Sequence, residues 1–439
     1  MFKQLNCIIF LSNIFFVFFT EYIYFLFLRD YIFYINRLTR RLASLNILYV
    51  KMFQAFALNN YLIDEKTNQE LLKFTDNSPW SSSDINYKIL FDILEENKLI
   101  AKNGFEIPIN SGMISLVFKA YDYNDKPVII KLKRNNIEKK LSEAIDNLLF
   151  FIYILSFIPI INKYKFSELI SKNIEIIQHQ TNFLQEVDNM IRIKENCRQL
   201  EYVKIPQVNR KVTEKYPECI LMEFIVGVKI NHIQKKDFEI FSKLVLKFGF
   251  VTSMVHGITH GDLHSGNILF IKDNDENCPY KIGIIDFGIV YELDEAFKSE
   301  LFLMLTELFY EEPRKSSIKL LNSGLIDPPN IFNQIPIKDY ENIIHIVTEI
   351  IEDCIDTSKK SNQLQIYKFI TKFKEYLDNS TISEFGIKLS DNFIKLQLVF
   401  AMAHGITFTL CNNQFFGLAD KVINELFHTN IFFDNQLDN

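Results

Sequence analysis

A chain of 439 residues has room for two or three domains and a sizeable core. Its net charge of −6 gives no electrostatic footprint for nucleic acid, so no nucleic-acid partner is expected. The cysteines (Cys7, Cys197, Cys219, Cys278, Cys354 and Cys411) form no C-x-x-C and pair with no histidine at zinc spacing, which points to free thiols rather than a thiolate metal site.

Residues 8–28 form an apolar run long enough to cross a bilayer as one helix. Asn13 and Glu21 interrupt it, and a mid-membrane acid costs about 2.5–3.5 kcal/mol on insertion scales. A single lysine, Lys3, precedes the run and no small-residue cleavage site follows it, which argues against a secretory signal. No arginine occurs before Arg29, which argues against a matrix-type transit peptide. Two readings stand: a membrane helix or in-plane anchor, and a buried, aromatic-rich packing helix. Because Arg29, Arg37, Arg40 and Arg41 follow the run, a spanning helix would leave the rest of the chain on the cytoplasmic-type side. Residues 1–35 are therefore read as a membrane-anchor candidate. Residues 36–100 read as a helical extension carrying Lys51 and Gln54, with a break expected at Asp76-Asn77-Ser78-Pro79.

From residue 105 the period changes to two. Met113–Asp122 reads as a strand, Asn124-Asp125 as a turn and Pro127–Lys133 as the partner strand. A lysine inside an apolar strand needs a reason, since an unpaired buried ammonium is costly. In Val128-Ile129-Ile130-Lys131 the reason matches V-A-I-K, whose lysine grips nucleotide phosphates and pairs with a helix glutamate. Lys133 shares the face, but Lys131 fits the motif better. The preceding segment holds a single glycine, so phosphate-binding amides are expected at Ser111 and Gly112, with less freedom than a glycine-rich loop allows.

Residues 137–196 read as two or three helices, and the apolar stretch 148–161 is too short to span, so burial is expected for it. In the last of these helices Leu184, Val187 and Ile191 make one stripe with Glu186 at its border. Glu186 is the expected partner of Lys131, with Glu175 as the competing candidate. Asp188 and Arg192 are spaced for an i,i+4 surface pair. Cys219–Gly227 reads as a strand ending in a connector, where backbone groups of Glu223 to Ile225 would meet an adenine ring.

A helix over about 236–256 leads into His260-Gly261-Asp262-Leu263-His264-Ser265-Gly266-Asn267, followed by Asp286-Phe287-Gly288. Asp262 and Asn267 stand at the spacing of H-x-D-L-x-x-x-N, and Asp286 opens a D-F-G. One carboxylate orients a nucleophile's proton, while an amide oxygen and a second carboxylate hold magnesium on nucleotide phosphates. No A-P-E follows, so a peptide substrate is not expected. Residues 393–411 are apolar but carry Lys395, Gln397 and His404, which favours core packing.

The order of these elements resembles the UbiB/AarF-type atypical kinases, over roughly residues 40–300. The resemblance implies an α+β, two-lobed protein-kinase-like fold with an N-terminal helical extension and a helix-rich C-terminal lobe. It implies an N-lobe with a helical insertion over 101–225 and a C-lobe over 226–439, binding Mg-ATP between them. Carried over by position, Lys131 and Glu186 would be the ion pair, Asp262 the catalytic acid/base, and Asn267 and Asp286 the magnesium ligands. Lys51 and Gln54 would fold over the active site and exclude peptides, leaving a membrane lipid or small molecule as acceptor. The chain departs from the family at Phe53 (family glycine), at the loop 109–112 (family alanine-rich), and at Leu263 and Ser265 (family prolines). His260–His264 is closer to the H-G-D-x-H of aminoglycoside and choline phosphotransferases, the alternative reading. A pseudokinase scaffold is the third.

Overall fold

The computed structural model describes residues 2–46, 80–155, 180–293, 312–322, 326–328, 331–361, 387–390 and 415–428, with isolated positions between them. Two compact units divide the chain: Met1–Ile191 with Pro206–Phe224, and Arg192–Ile205 with Ile225–Asn439.

The first unit begins with two helices, α1 (Phe2–Leu28) and α2 (Tyr31–Leu45), the second capped by Asp30, whose carboxylate accepts from the Phe33 amide at 3.0 Å. A short 3₁₀ turn, Ser82–Asp84, and α3 (Tyr87–Glu96) precede the sheet. The sheet has the order β1 (Asn110–Ser111), β2 (Ser115–Tyr121), β3 (Pro127–Lys133) and β5 (Cys219–Glu223), all antiparallel. The β2–β3 turn is closed by Asp122, whose carboxylate accepts from the Asn124 and Lys126 amides, while Asp125 takes the left-handed conformation at φ 60°. Alternation then sorts β3. Ile130 and Leu132 enter a core with Leu90, Ile93, Leu116, Phe118 and Leu221, whereas Lys131 and Lys133 share the opposite face.

That opposite face receives α4 (Ile137–Leu155) and α5 (Phe183–Asn196), and a short α6 (Arg210–Lys215) precedes β5. On α4 the residues Ile137, Leu141, Ala144, Ile145 and Leu148 are buried, but Leu149, Tyr153 and Ile154 are exposed, as is Phe157 just beyond the helix. Burial of the apolar stretch from 148 is thus not found at Leu149, Tyr153, Ile154 and Phe157, its described exposed positions. The stripe on α5 is also rotated from the expected one. Phe183, Glu186, Val187, Met190 and Ile193 face inward, while Ile191 is exposed. Glu186 therefore sits on the buried face itself rather than at its border.

In the second unit, α7 (Phe238–Phe250) continues into a π turn at Val251–Val255, and Thr252 and Ser253 cap their own preceding turn through their hydroxyls. Short strands follow: β6 (Ile258–His260) pairs with β9 (Val290–Glu292), and β7 (Ile268–Lys272) with β8 (Tyr280–Ile284). Parallel pairing of β4 (Val203–Lys204) with β8 draws Arg192–Ile205 into this unit, so the domain break is not a single cut. Among the described residues, the remainder holds helices α8 (Pro313–Asn322), α9 (Ile337–Ser361) and α10 (Phe415–His428). Residues 393–405 lie outside the described residues.

Candidate functional site

The first unit contributes a buried ion pair. Lys131 Nζ donates to Glu186 Oε1 at 2.6 Å, with the two side chains 9% and 2% exposed. The register explains the position: Lys131 lies between Val117 on β2 and Ile220 on β5, so its side chain leaves the middle of the sheet toward α5. Phe183, one turn before Glu186, lies under both lysines, at 5.5 Å from Lys131 Nζ and 5.4 Å from Lys133 Nζ. Lys133 takes a different acid, Glu138, at 3.2 Å. Glu175 lies outside the described residues, as do Lys51, Phe53 and Gln54.

The loop before β2 is not the open cradle expected of it. The Gly112 amide donates to the Ser115 carbonyl at 2.9 Å, and the Ser111 hydroxyl to the Ser78 carbonyl at 2.7 Å. Arg134, 5% exposed, closes the assembly. Its guanidinium donates twice to the Gly112 carbonyl (2.8 and 3.0 Å), to Ser111 Oγ (2.8 Å) and to Asp84 (3.0 Å). Burial alone would raise the Asp84 carboxyl, but the Lys140 ammonium, the Ser81 amide and the Arg134 charge together hold it below the usual carboxylate range. Ser111 and Gly112 are therefore anchors of a latched loop, and the Gly112 amide, one of the two donors expected to meet phosphate, is already engaged. Sequence reasoning missed Arg134 because an arginine just past the end of a strand carries no periodic signal.

The expected helix pair of Asp188 and Arg192 does not form. Asp188 takes Arg210 at 2.7 Å and Arg192 takes Glu292, since each side chain meets a nearer partner from another element. At the end of β5 the Glu223 amide is held by the Gln207 carbonyl at 2.7 Å, and Ile225 is buried. The chain passes from the first unit to the second between Phe224 and Ile225.

The second unit holds the other residues in a closed set of bonds. Asn267 Nδ2 donates to the Asp262 carbonyl at 2.9 Å, which leaves the amide oxygen as the atom that could hold a metal. The Asn267 carbonyl accepts from the Ile285 amide at 3.1 Å, next to Asp286. His260, 2% exposed, ties the segments of Asp262 and Asp286 together: Nδ1 accepts from the Asp262 amide at 2.9 Å, and Nε2 meets the Asp286 carbonyl. An amide can only donate and a carbonyl only accept, so the ring is neutral with its proton on Nε2. Burial pushes the His260 pKa down, consistent with that form. Asp286 Oδ1 accepts from the Gly288 amide at 3.0 Å, turning the D-F-G sharply.

The departures from the family motif have local causes. A Cβ at Gly261 would lie 2.5 Å from Ile289 Cγ2 and 2.7 Å from Tyr291 Cε2, so even alanine here requires these two side chains to shift. Burial, with the Asp262 charge adding to it, pushes the Tyr291 phenol up to about 12. Leu263 is buried and helps seat the loop. Among the described residues no group of three His, Cys, Asp or Glu could hold a metal. The donors that fit magnesium here are the Asn267 amide oxygen and the Asp286 carboxylate, hard oxygen ligands of the kind the ion prefers.

The profile of the ABC1 atypical kinase-like domain matches residues 100–319. The chain belongs to this family. Its ABC1 domain takes in Lys131, Glu186, Arg134 and the His260–Gly288 stretch. Among curated relatives, the probable protein kinase UbiB of Blochmanniella pennsylvanica is 28% identical over 70% of this chain and 54% of its own length. The AarF domain-containing protein kinase 1 of Gallus gallus is 23% identical over 62% of the chain and 53% of its own. The chain thus spans about half the length of the curated relatives it matches. Among solved structures, the Rv3197–erythromycin complex of Mycobacterium tuberculosis aligns with 81% of the chain and 87% of its own at 17% identity and a TM-score of 0.47. The fold of the ABC1 domain is kinase-like, mixed helix and sheet, with helices preceding it.

Proposed function

We propose that the chain is an atypical kinase or ATPase that uses Mg-ATP and acts on a component of a membrane lipid or quinone-related pathway. The observation that carries this reading is the bond set in which His260 joins the Asp262 amide to the Asp286 carbonyl while Asn267 donates to the Asp262 carbonyl, so that three oxygen-bearing side chains belong to one hydrogen-bonded group. In the proposal Lys131, held by Glu186, grips the nucleotide phosphates, and backbone groups of Glu223 to Ile225 take the adenine. Asp262 orients the acceptor hydroxyl or a water and takes its proton. Asn267 and Asp286 hold magnesium, which when bound neutralises charge on the phosphates. Lys51 and Gln54 form a regulatory element over the site that keeps peptides out. The names of both relatives support the activity, and the pathway is carried over from the resemblance to the UbiB/AarF-type kinases. The H-G-D-L-H motif does not call for an aminoglycoside or choline acceptor, because packing by Ile289 and Tyr291 accounts for its glycine.

The test is Mg-ATP binding and turnover by the full chain in lipid nanodiscs, with and without lipid extract, beside Asp286→Asn. Metal-dependent binding that Asp286→Asn abolishes, with turnover raised by lipid, is the expected result. No metal-dependent binding refutes the enzyme reading and leaves a scaffold. Phosphorylation of choline or an aminoglycoside in place of a lipid-extract component replaces the acceptor assignment.

A further inference from the structure

The first apolar helix is one arm of a hairpin. After Leu28 the chain turns at Arg29, which has φ 49°, and α2 runs back along α1. Three contacts set the antiparallel register. Phe25 and Tyr34 have ring centroids 5.2 Å apart, Arg37 Nε donates to Glu21 at 2.8 Å, and Arg41 Nη1 donates to Thr20 and Glu21, each at 2.7 Å. Farther along, Asn46 Nδ2 donates to the Ala144 carbonyl of α4 at 2.8 Å, and α1 itself packs on α4. The inward row of α1 is Phe10, Ile14, Val17 and Glu21, all buried.

This arrangement conflicts with a bilayer-spanning α1. At 1.5 Å per residue Glu21 lies about 10 Å along the helix from the turn at Leu28. If α1 crossed a hydrocarbon layer of about 30 Å, Arg37 and Arg41 would be held near that depth, and Asn46 would draw α4 farther in. The folded unit occupies one side of α1 along its length, which lipid cannot also occupy. Arg37 and Arg41, read from the sequence as flanking the run, in fact lie beside it.

The rest of the circumference is apolar and open. Phe15 is 72% exposed, Phe19 65% and Phe27 83%. The hairpin is also basic: residues 1–46 carry Lys3, Arg29, Arg37, Arg40 and Arg41 against Glu21 and Asp30, in a chain of net charge −6. A broad aromatic face bordered by arginines, on an otherwise acidic protein, complements an anionic bilayer surface.

We propose that α1 docks in the plane of one leaflet, its phenylalanine face in the headgroup–acyl boundary and α2 at headgroup level, without crossing. The claim concerns attachment and holds independently of phosphotransfer. It makes the apolar run a surface anchor with both ends on one side of the membrane.

The test uses the full chain with an N-terminal epitope tag, inserted during synthesis into sealed vesicles of phosphatidylcholine and phosphatidylglycerol in equal parts. External protease should remove the tag without detergent, along with the rest of the chain. A tag protected until detergent is added overturns the proposal in favour of a span. In co-sedimentation, Phe15→Ser/Phe19→Ser/Phe27→Ser should bind these vesicles roughly a hundredfold more weakly. The variant should keep the wild-type melting temperature, because the three rings are exposed. Wild type that fails to pellet, or a variant that pellets equally, also overturns the proposal. So does a wild-type dimer that the variant loses, which would assign the face to a second copy.

Discussion

Removing one member of the Lys131–Glu186 pair should be far more damaging than removing both. At 2.6 Å with 9% and 2% exposure, the pair is fully desolvated. Lys131→Met takes the ammonium from beside a buried carboxylate, and Glu186→Leu does the reverse. Each should cost about 3–5 kcal/mol, against a total stability of about 5–15 kcal/mol for a domain. For a unit of this size that lowers the melting midpoint by roughly 6–20 °C. The double change Lys131→Met/Glu186→Leu replaces the pair by apolar groups above Phe183, and its cost should be near zero. A double-mutant cycle in urea supplies the coupling energy, and titration with Mg-ATP on the same samples supplies the functional readout. The stable double variant should bind no nucleotide, which separates the pair's role in binding from its effect on folding. Singles that cost under about 1 kcal/mol each, or a double that costs their sum, would refute the reading of the pair as buried and coupled.

Arg134→Met should destabilise the first unit by about 3 kcal/mol or more and speed hydrogen exchange at the Gly112 amide, while Arg134→Lys recovers only part, since an ammonium cannot fork to three partners. Gly261→Ala should cost about 1–3 kcal/mol in urea unfolding, and adding Ile289→Ala should return part of it by clearing the nearest contact. Burial pushes His256 down to about 4, below an unfolded value near 6.5. The folded state is thus favoured above pH 6.5, and as pH falls from there toward 4 up to about 3 kcal/mol is lost because the unfolded chain takes the proton first. Denaturant midpoints across that range should show the slope, and His256→Gln should flatten it.

Strand register was legible in the sequence because period two is local: Lys131 and Lys133 could be put on one face before any partner was known. The catalytic-loop spacing was legible for the same reason, since Asp262, Asn267 and Asp286 are carried by adjacent short elements. What the sequence did not reveal is tertiary choice. Asp188 and Arg192 satisfy the helix spacing rule, yet Arg210 and Glu292 reach them first. Glu186 read as a border residue because Phe183 and Met190, which set the true inward face of α5, were not weighed with Val187. Ser111 and Gly112 looked available because nothing in their own segment shows the guanidinium of Arg134.

A glycine-rich loop is disordered until a phosphate organises it, so part of the ligand's affinity is lost as conformational entropy. The Arg134 latch moves that ordering to folding. On the proposed reading, a nucleotide tail passes a loop whose order was set at folding rather than one it must order itself. A calorimetric series of nucleotides with one, two and three phosphates should therefore show no growing entropic penalty as the tail lengthens.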